Sequence, residues 1–160
     1  LRTMGVNVEE TEGMLCFEAK ELRGSEITLK FPSVGATENI ILAAVLARGT
    51  TRIRNAAAEP EIGILCEFLN RAGARIVRRG SSVEIEGVEE LRDTMYELPG
   101  DRIVAGTYLA AAAGTGGRIT VRGVGRKELD SLLAVLAGAG CGITGDERQI
   151  TLGAVPPLRA

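Results

Sequence analysis

An α/β fold built from repeated β-α-β-α-β-β units is the architecture that this sequence predicts, on three observations. The chain matches itself at a spacing of about 67 residues. Within each repeat, short alternating runs with β-branched residues flank longer runs of Ala, Leu and Ile at helical spacing. The core must be almost wholly aliphatic, because aromatics make up 3% of the 160 residues and Trp is absent, while 21 residues are Gly.

The repeat can be followed position by position. At a spacing of 67, Pro32 falls on Pro99, Leu42 on Leu109, and Ala43-Ala44 on Ala110-Ala111. Leu65 then meets Leu132, Leu69 meets Leu136, Gly73 meets Gly140, and Ile76 meets Ile143. The opening LRTMGVNV matches LNRAGARI at a spacing of 68. Two full units, about 24–91 and 92–153, thus follow the last third of another at 1–23.

Within the first full unit, EITLKF alternates and reads as a strand. Residues 36–47 are apolar almost all round and rich in Ala, which predicts a helix buried on most sides. TTRIRN is a second strand after the helix stop Gly49. Glu59-Pro60-Glu61 opens another helix, since Pro suits a first turn and carboxylates complement the positive helix end. Ile62, Leu65, Leu69 and Ala72 follow at helical spacing, and Gly73 ends it. Residues 74–79 and 82–86 close the unit as two strands. The second unit repeats the order with MYELP, 101–113, ITVRG, 127–138, CGIT and QITL. One unit alone exposes a sheet face and leaves its helices uncovered. Three around a pseudo-threefold axis, helices inward and sheets outward, would bury them.

Composition excludes several classes. A net charge of -2, with no patch joining basic residues to stacking aromatics, argues against nucleic acid as a partner. No apolar run approaches the ~20 residues needed to cross a bilayer, so no membrane association is expected. Cys16, Cys66 and Cys141 are widely spaced among apolar neighbours and read as buried free thiols in a reducing cytoplasm. With no His, Ser-His-Asp triads and most zinc sites fall away. A start at Leu1, with neither Met nor a signal pattern, reads as a piece of something longer.

The chemistry concentrates in FPSVGATENI, where a strand gives way to a helix. The first amides of a helix have no intrahelical partner, and the dipole adds about half a positive charge there. Ser33 can cap, and Gly35 lets a ligand approach the backbone, so the turn suits a phosphate or pyrophosphate. The bland alternative is a plain N-cap. The matching turn, ELPGDRIVAGT, offers Asp101 as a cap and places Arg102 against the dipole preference, for an anion contact, a salt bridge or solvent. Glu59 and Glu61 could act as acid and base, or simply favour the helix start. Arg52, Arg54, Arg78 and Arg79 read as the solvated face of strands, and Arg126-Lys127 before the last helix as the same.

FPSVGATENI, LAAVLARGTT, NAAAEPEI, FLNRAGARI, VEIEGVEEL and DRIVAGTYLAAAA, in that order, closely resemble the UDP-N-acetylglucosamine 1-carboxyvinyltransferase family of enolpyruvyl transferases. The resemblance implies two domains, each an inside-out α/β barrel of three such units. Matched to it, 1–91 would end one barrel and 92–160 would hold the first unit of the second and the start of the next linker. It also implies transfer of enolpyruvyl from phosphoenolpyruvate to the 3′-hydroxyl of UDP-N-acetylglucosamine in peptidoglycan synthesis, in the cytoplasm and with no cofactor. By resemblance, Phe31, Pro32, Ser33, Val34 and Gly35 lie on the nucleotide sugar, Ser33 to Gly35 nearest its diphosphate. Glu59 matches an acidic residue near the substrate cleft, and Asp101 and Arg102 a segment at the domain junction.

Two departures stand out: Gly100 is an extra residue, and Val104 replaces the usual Glu. The family's loop cysteine, its early lysine and its phosphoenolpyruvate-clamping arginines would fall before Leu1 or otherwise outside the chain, and its proposed general base after Ala160. No catalytic residue is therefore expected here, and phosphoenolpyruvate would bind only with those segments present. The chain alone is expected to contribute UDP-sugar binding without turnover, and its incomplete barrels leave faces open to self-association. The alternatives are a shikimate-pathway enolpyruvyl transferase and a non-catalytic sugar-nucleotide-binding or scaffold module.

Overall fold

Alternation of apolar and polar residues produces a sheet with one buried face in each half of the chain. The computed structural model describes residues 1–154 and Leu158, so the linker start expected at the chain's end falls largely outside the described residues. The chain divides into two compact units, Leu1–Tyr96 and Glu97–Ala160.

The first unit opens with a 3-10 turn, Arg2–Met4, and an antiparallel hairpin of β1 (Asn7–Thr11) and β2 (Met14–Glu18). A β-α-β-α-β-β run follows: β3 (Glu26–Thr28), α1 (Val34–Ala44), β4 (Thr50–Arg54), α2 (Pro60–Arg71), β5 (Arg75–Arg79) and β6 (Ser82–Glu86). Their sheet has the order β3-β4-β6-β5, with β3 and β4 parallel and the other pairs antiparallel. Ile53, Val83 and Ile85 point inward and are fully buried, beneath Ile40, Ile41 and Ala44 of α1 and Ile62, Cys66 and Leu69 of α2. The outward face carries an ion-pair ladder. Arg52 lies 2.7 Å from Glu84 and 3.7 Å from Glu26, and Arg75 lies 2.7 Å from Glu86. The Arg52 guanidinium holds the Glu84 carboxyl below its ordinary range. These exposed pairs add little stability, as water screens them.

The second unit holds α3 (Arg102–Thr115), β7 (Arg118–Arg122), a 3-10 turn at Arg126–Leu129, α4 (Asp130–Gly138), β8 (Gly142–Gly145) and β9 (Gln149–Gly153). Its antiparallel sheet has the order β7-β9-β8. Ile150 and Leu152 face inward against Leu109 of α3 and Leu133 and Leu136 of α4.

Four sequence expectations change. MYELP forms no strand. It lacks β-branched residues, and Tyr96 is drawn onto α2 instead, edge-on to Phe68 at 5.9 Å, beneath the Arg71 guanidinium at 4.9 Å, and donating to Glu67 at 3.2 Å. Cys16 is exposed, since β1 and β2 form a two-stranded sheet of their own, whereas Cys66 and Cys141 are buried. Helices α1 and α3 each bury one face only, leaving Leu42 on one and Ile103, Val104 and Tyr108 on the other exposed. The chain supplies a sheet against one side of each. Finally, the pairing of Leu42 with Leu109 is not structural, because Leu42 is exposed and Leu109 fully buried. Ile41 and Leu109 share the buried position, as do Val45 and Ala113, so the spacing over this helix is 68. It returns to 67 in the second half, where Val83 and Ile150, and Ile85 and Leu152, are equivalent.

Just before α3, Gly100 lies directly against the backbone of Gly123. Its amide donates to the Gly123 carbonyl at 3.0 Å. A Cβ there would sit 2.5 Å from that same oxygen and 2.8 Å from Val124. Gly100→Ala is expected to force the two backbones apart and cost about 1–3 kcal/mol, the range of overpacking. Urea unfolding of the variant beside the parent checks this, and equal midpoints would refute it.

Candidate functional site

Parallel pairing of β3 and β4 brings their carboxyl ends to one edge of the sheet, and both helices of the first unit start from the segments that leave it. Asn55 follows β4 in the left-handed conformation, at φ 58°, which Asn tolerates well. Its side-chain amide donates to the Leu29 carbonyl at 3.0 Å, tying the two exits together.

At the first exit, Phe31 and Pro32 are exposed, Ser33 and Val34 half-buried, and Gly35 exposed. Ser33 is the N-cap of α1. Its Oγ accepts from the Ala36 amide at 3.3 Å, and its carbonyl accepts from the Thr37 amide at 2.9 Å. The amides of Val34 and Gly35 come too early to reach a carbonyl one turn back within the helix. Space around Gly35 is open, with nothing within 4 Å of where a Cβ would be. The resulting surface is backbone N–H and helix dipole, with no acidic residue in the first turn, which favours an incoming anion.

At the second exit, Glu59 occupies the N-cap position of α2 but makes no capping hydrogen bond. Its half-buried carboxylate has no hydrogen bond or ion pair among the described residues. The loop before it is fastened at each residue. The Ala56 amide donates to the Ser81 carbonyl at 2.8 Å, the Ala57 amide to Thr37 Oγ1 at 3.0 Å, and the Arg78 guanidinium to the Ala58 carbonyl at 2.8 Å. Glu61 follows in the first turn of α2. Farther along the helix, burial pushes the Cys66 thiol up and leaves it protonated, a shift that nearby Arg78 partly offsets.

Asp101 and Arg102 belong to the second unit. Asp101 caps α3, its Oδ1 accepting from the Ile103 amide at 2.7 Å and the Val104 amide at 3.1 Å. Arg102 is half-buried in the first turn. The two helix starts therefore differ in kind. That of α3 already holds an anion, its own carboxylate, whereas that of α1 is closed by a neutral hydroxyl. The structure brings Ser33–Gly35 and the Glu59 loop together through Thr37, and sets Asp101 and Arg102 in the other unit. Sequence reasoning missed Thr37, Asn55 and Arg78. The available signals were a lone hydroxyl in an apolar helix, and an Asn where a strand must turn.

The chain belongs to the enolpyruvyl transferases: the model of the EPSP synthase (3-phosphoshikimate 1-carboxyvinyltransferase) family matches residues 1–159. Its relatives include UDP-N-acetylglucosamine 1-carboxyvinyltransferase 2 of Caldanaerobacter subterraneus, 52% identical over 88% of this chain and 34% of the relative. The UDP-N-acetylglucosamine 1-carboxyvinyltransferase of Mycobacterium tuberculosis is 47% identical over 90% of this chain and 35% of its own. Among solved structures, the enolpyruvyl transferase NikO from Streptomyces tendae matches with a TM-score of 0.80 at 20% identity, over 99% of this chain and 41% of that one. The EPSP synthase from Acinetobacter baumannii matches with a TM-score of 0.67 at 21% identity, over 96% of this chain and 37% of that one. At such identities the structures speak to fold. This is the inside-out α/β barrel fold, with sheets that do not close within the chain. The chain spans about a third of the length of the curated relatives it matches.

The two caps should differ in strength. Asp101 serves two amides at short distance and Ser33 one at 3.3 Å. Asp101→Ala is expected to cost about 1–2 kcal/mol and Ser33→Ala about 0.5 kcal/mol, within the usual range for caps. Urea unfolding curves of both variants test the order, and a larger loss at Ser33 would contradict it.

Proposed function

We propose that this chain is part of an enzyme that transfers the enolpyruvyl group of phosphoenolpyruvate to the 3′-hydroxyl of UDP-N-acetylglucosamine, with release of phosphate. One observation carries the reading: identity near one half, across most of the chain, to relatives named for that transfer. The shikimate branch is disfavoured, because the relatives at 47–52% identity carry the UDP-N-acetylglucosamine name.

In this reading the first unit contributes acceptor binding. The diphosphate of the nucleotide sugar meets the amides at Ser33, Val34 and Gly35, where the helix dipole and the missing Cβ favour it. Phe31 and Pro32, both exposed beside that turn, offer apolar surface to the rest of the nucleotide sugar. Glu59 supplies an unpartnered acceptor to a sugar hydroxyl or amide. Asp101 and Arg102 act where the second barrel begins, the repeat dividing at 91/92 while residues up to Tyr96 still pack with the first unit. The groups that handle phosphoenolpyruvate lie in other segments of the parent. The compartment is the cytoplasm, consistent with unpaired Cys16, Cys66 and Cys141.

With UDP-N-acetylglucosamine and phosphoenolpyruvate together, the chain alone is expected to release no phosphate. Titration with UDP-N-acetylglucosamine should shift the amide resonances of Ser33 to Gly35, and shikimate 3-phosphate should not compete. Turnover by this chain, or preference for the shikimate phosphate, would overturn the assignment.

A further inference from the structure

Among the described residues, two polar side chains are fully buried, Thr37 and Thr51. Thr37 stands out because of what it joins. Its hydroxyl donates to the Ser33 carbonyl at 2.8 Å and accepts from the Ala57 amide at 3.0 Å. The first bond lies inside the turn ending in Gly35. The second reaches 20 residues along the chain to the loop that presents Glu59. One side-chain oxygen thus spans the two segments to which acceptor binding is assigned, in a site sealed from water.

The fold does not require a hydroxyl at this position. In the second unit, Ala105 takes the place of Thr37 at the same spacing that equates Ile41 with Leu109, and it too is buried. A helix of the same length class packs on the same kind of sheet without it. The hydroxyl is present in the unit whose helix start is left open, and missing where Asp101 closes its own. Nor can water replace it easily: with the hydroxyl removed, the buried Ala57 amide would lose its acceptor, and such groups are costly to leave unpaired.

We propose that Thr37 is a positioning residue, whose buried hydroxyl locks the Ser33–Gly35 turn to the Glu59 loop so that one nucleoside diphosphate sugar meets both. The inference rests on the acceptor-binding reading above and adds the residue that sets the geometry of the two contacts. Thr37 touches no ligand. It works through Ala57, two residues before Glu59, while Arg78 holds the intervening Ala58 carbonyl.

The test compares Thr37→Val, which keeps the shape and removes the hydroxyl, with Thr37→Ser, which keeps the hydroxyl. Each is titrated with UDP-N-acetylglucosamine, alone and combined with Glu59→Gln. Thr37→Val is expected to weaken binding about tenfold, the scale of a lost buried hydrogen bond, while Thr37→Ser stays near the parent. In the Glu59→Gln background, Thr37→Val should cost little more, since neighbours acting as one unit are not additive. Unchanged binding by Thr37→Val, or full additivity with Glu59→Gln, overturns the proposal. If the parent chain does not bind the sugar nucleotide, the acceptor-binding reading fails, and amide exchange decides the lock by itself. Faster exchange at Ala57 and shifted Ser33–Gly35 resonances in Thr37→Val, but not Thr37→Ser, support it. No change in either overturns it.

Discussion

Everything in the first unit follows from covering one face of a four-stranded sheet with two helices. Ile53, Val83 and Ile85 must be shielded from water, and at about 25 cal/mol per Å² of apolar surface this outweighs any polar contact on the outer face. The cover has to come from a crossover, because β3 and β4 run parallel. Parallel neighbours put both strand ends, and so the starts of α1 and α2, at one edge. The polar groups left over at two helix starts then lie where two loops meet. A binding edge is thus a by-product of burying aliphatic side chains.

How far this was legible in the sequence depends on the range of the interaction. The helices, the strand pairs and the repeat came from periodicity, which is local, and the stops at Gly73 and Gly140 recur at φ 101° and 103° as their shared spacing implies. The Ser33 and Asp101 caps were equally readable, since capping acts over three residues. What escaped was tertiary. Nothing local to MYELP says that Tyr96 will leave strand pairing for the side of α2, where burial and then Glu67 raise its phenol's pKa. Nothing local to Thr37 reveals a partner at Ala57. The register of the repeat over α1 and α3 also escaped, because Leu and Ala recur so often in both helices that a shift of 67 matches letters where 68 matches burial.

The contrast between the two helix starts shows how a duplicated unit diverges with its fold intact. The first helix follows a strand and the second an irregular segment, yet both are capped by a side chain. Exchanging a hydroxyl cap for a carboxylate changes the local charge by one unit, enough to turn an anion-attracting end into one that is already satisfied. Gly100 accompanies that exchange, since it lets the chain run against Gly123 before Asp101 reaches its amides. Family membership describes the scaffold that both units share. The chemistry of each edge is settled by one or two residues that the scaffold leaves free.

The docking of Tyr96 bears on how such units can be moved between proteins. Leu91 packs against the first core, the Arg92 amide donates to the Ala72 carbonyl at 2.7 Å, and Tyr96 then closes over Phe68 and Arg71. Those residues have the composition of a linker yet are part of the first unit's surface. A transplant cut at the end of β6 would strip that cover and widen the exposure of Phe68 and Arg71, which Tyr96 only partly shields. A cut after Tyr96 would carry the cover along, so the smallest portable module is longer than its regular secondary structure.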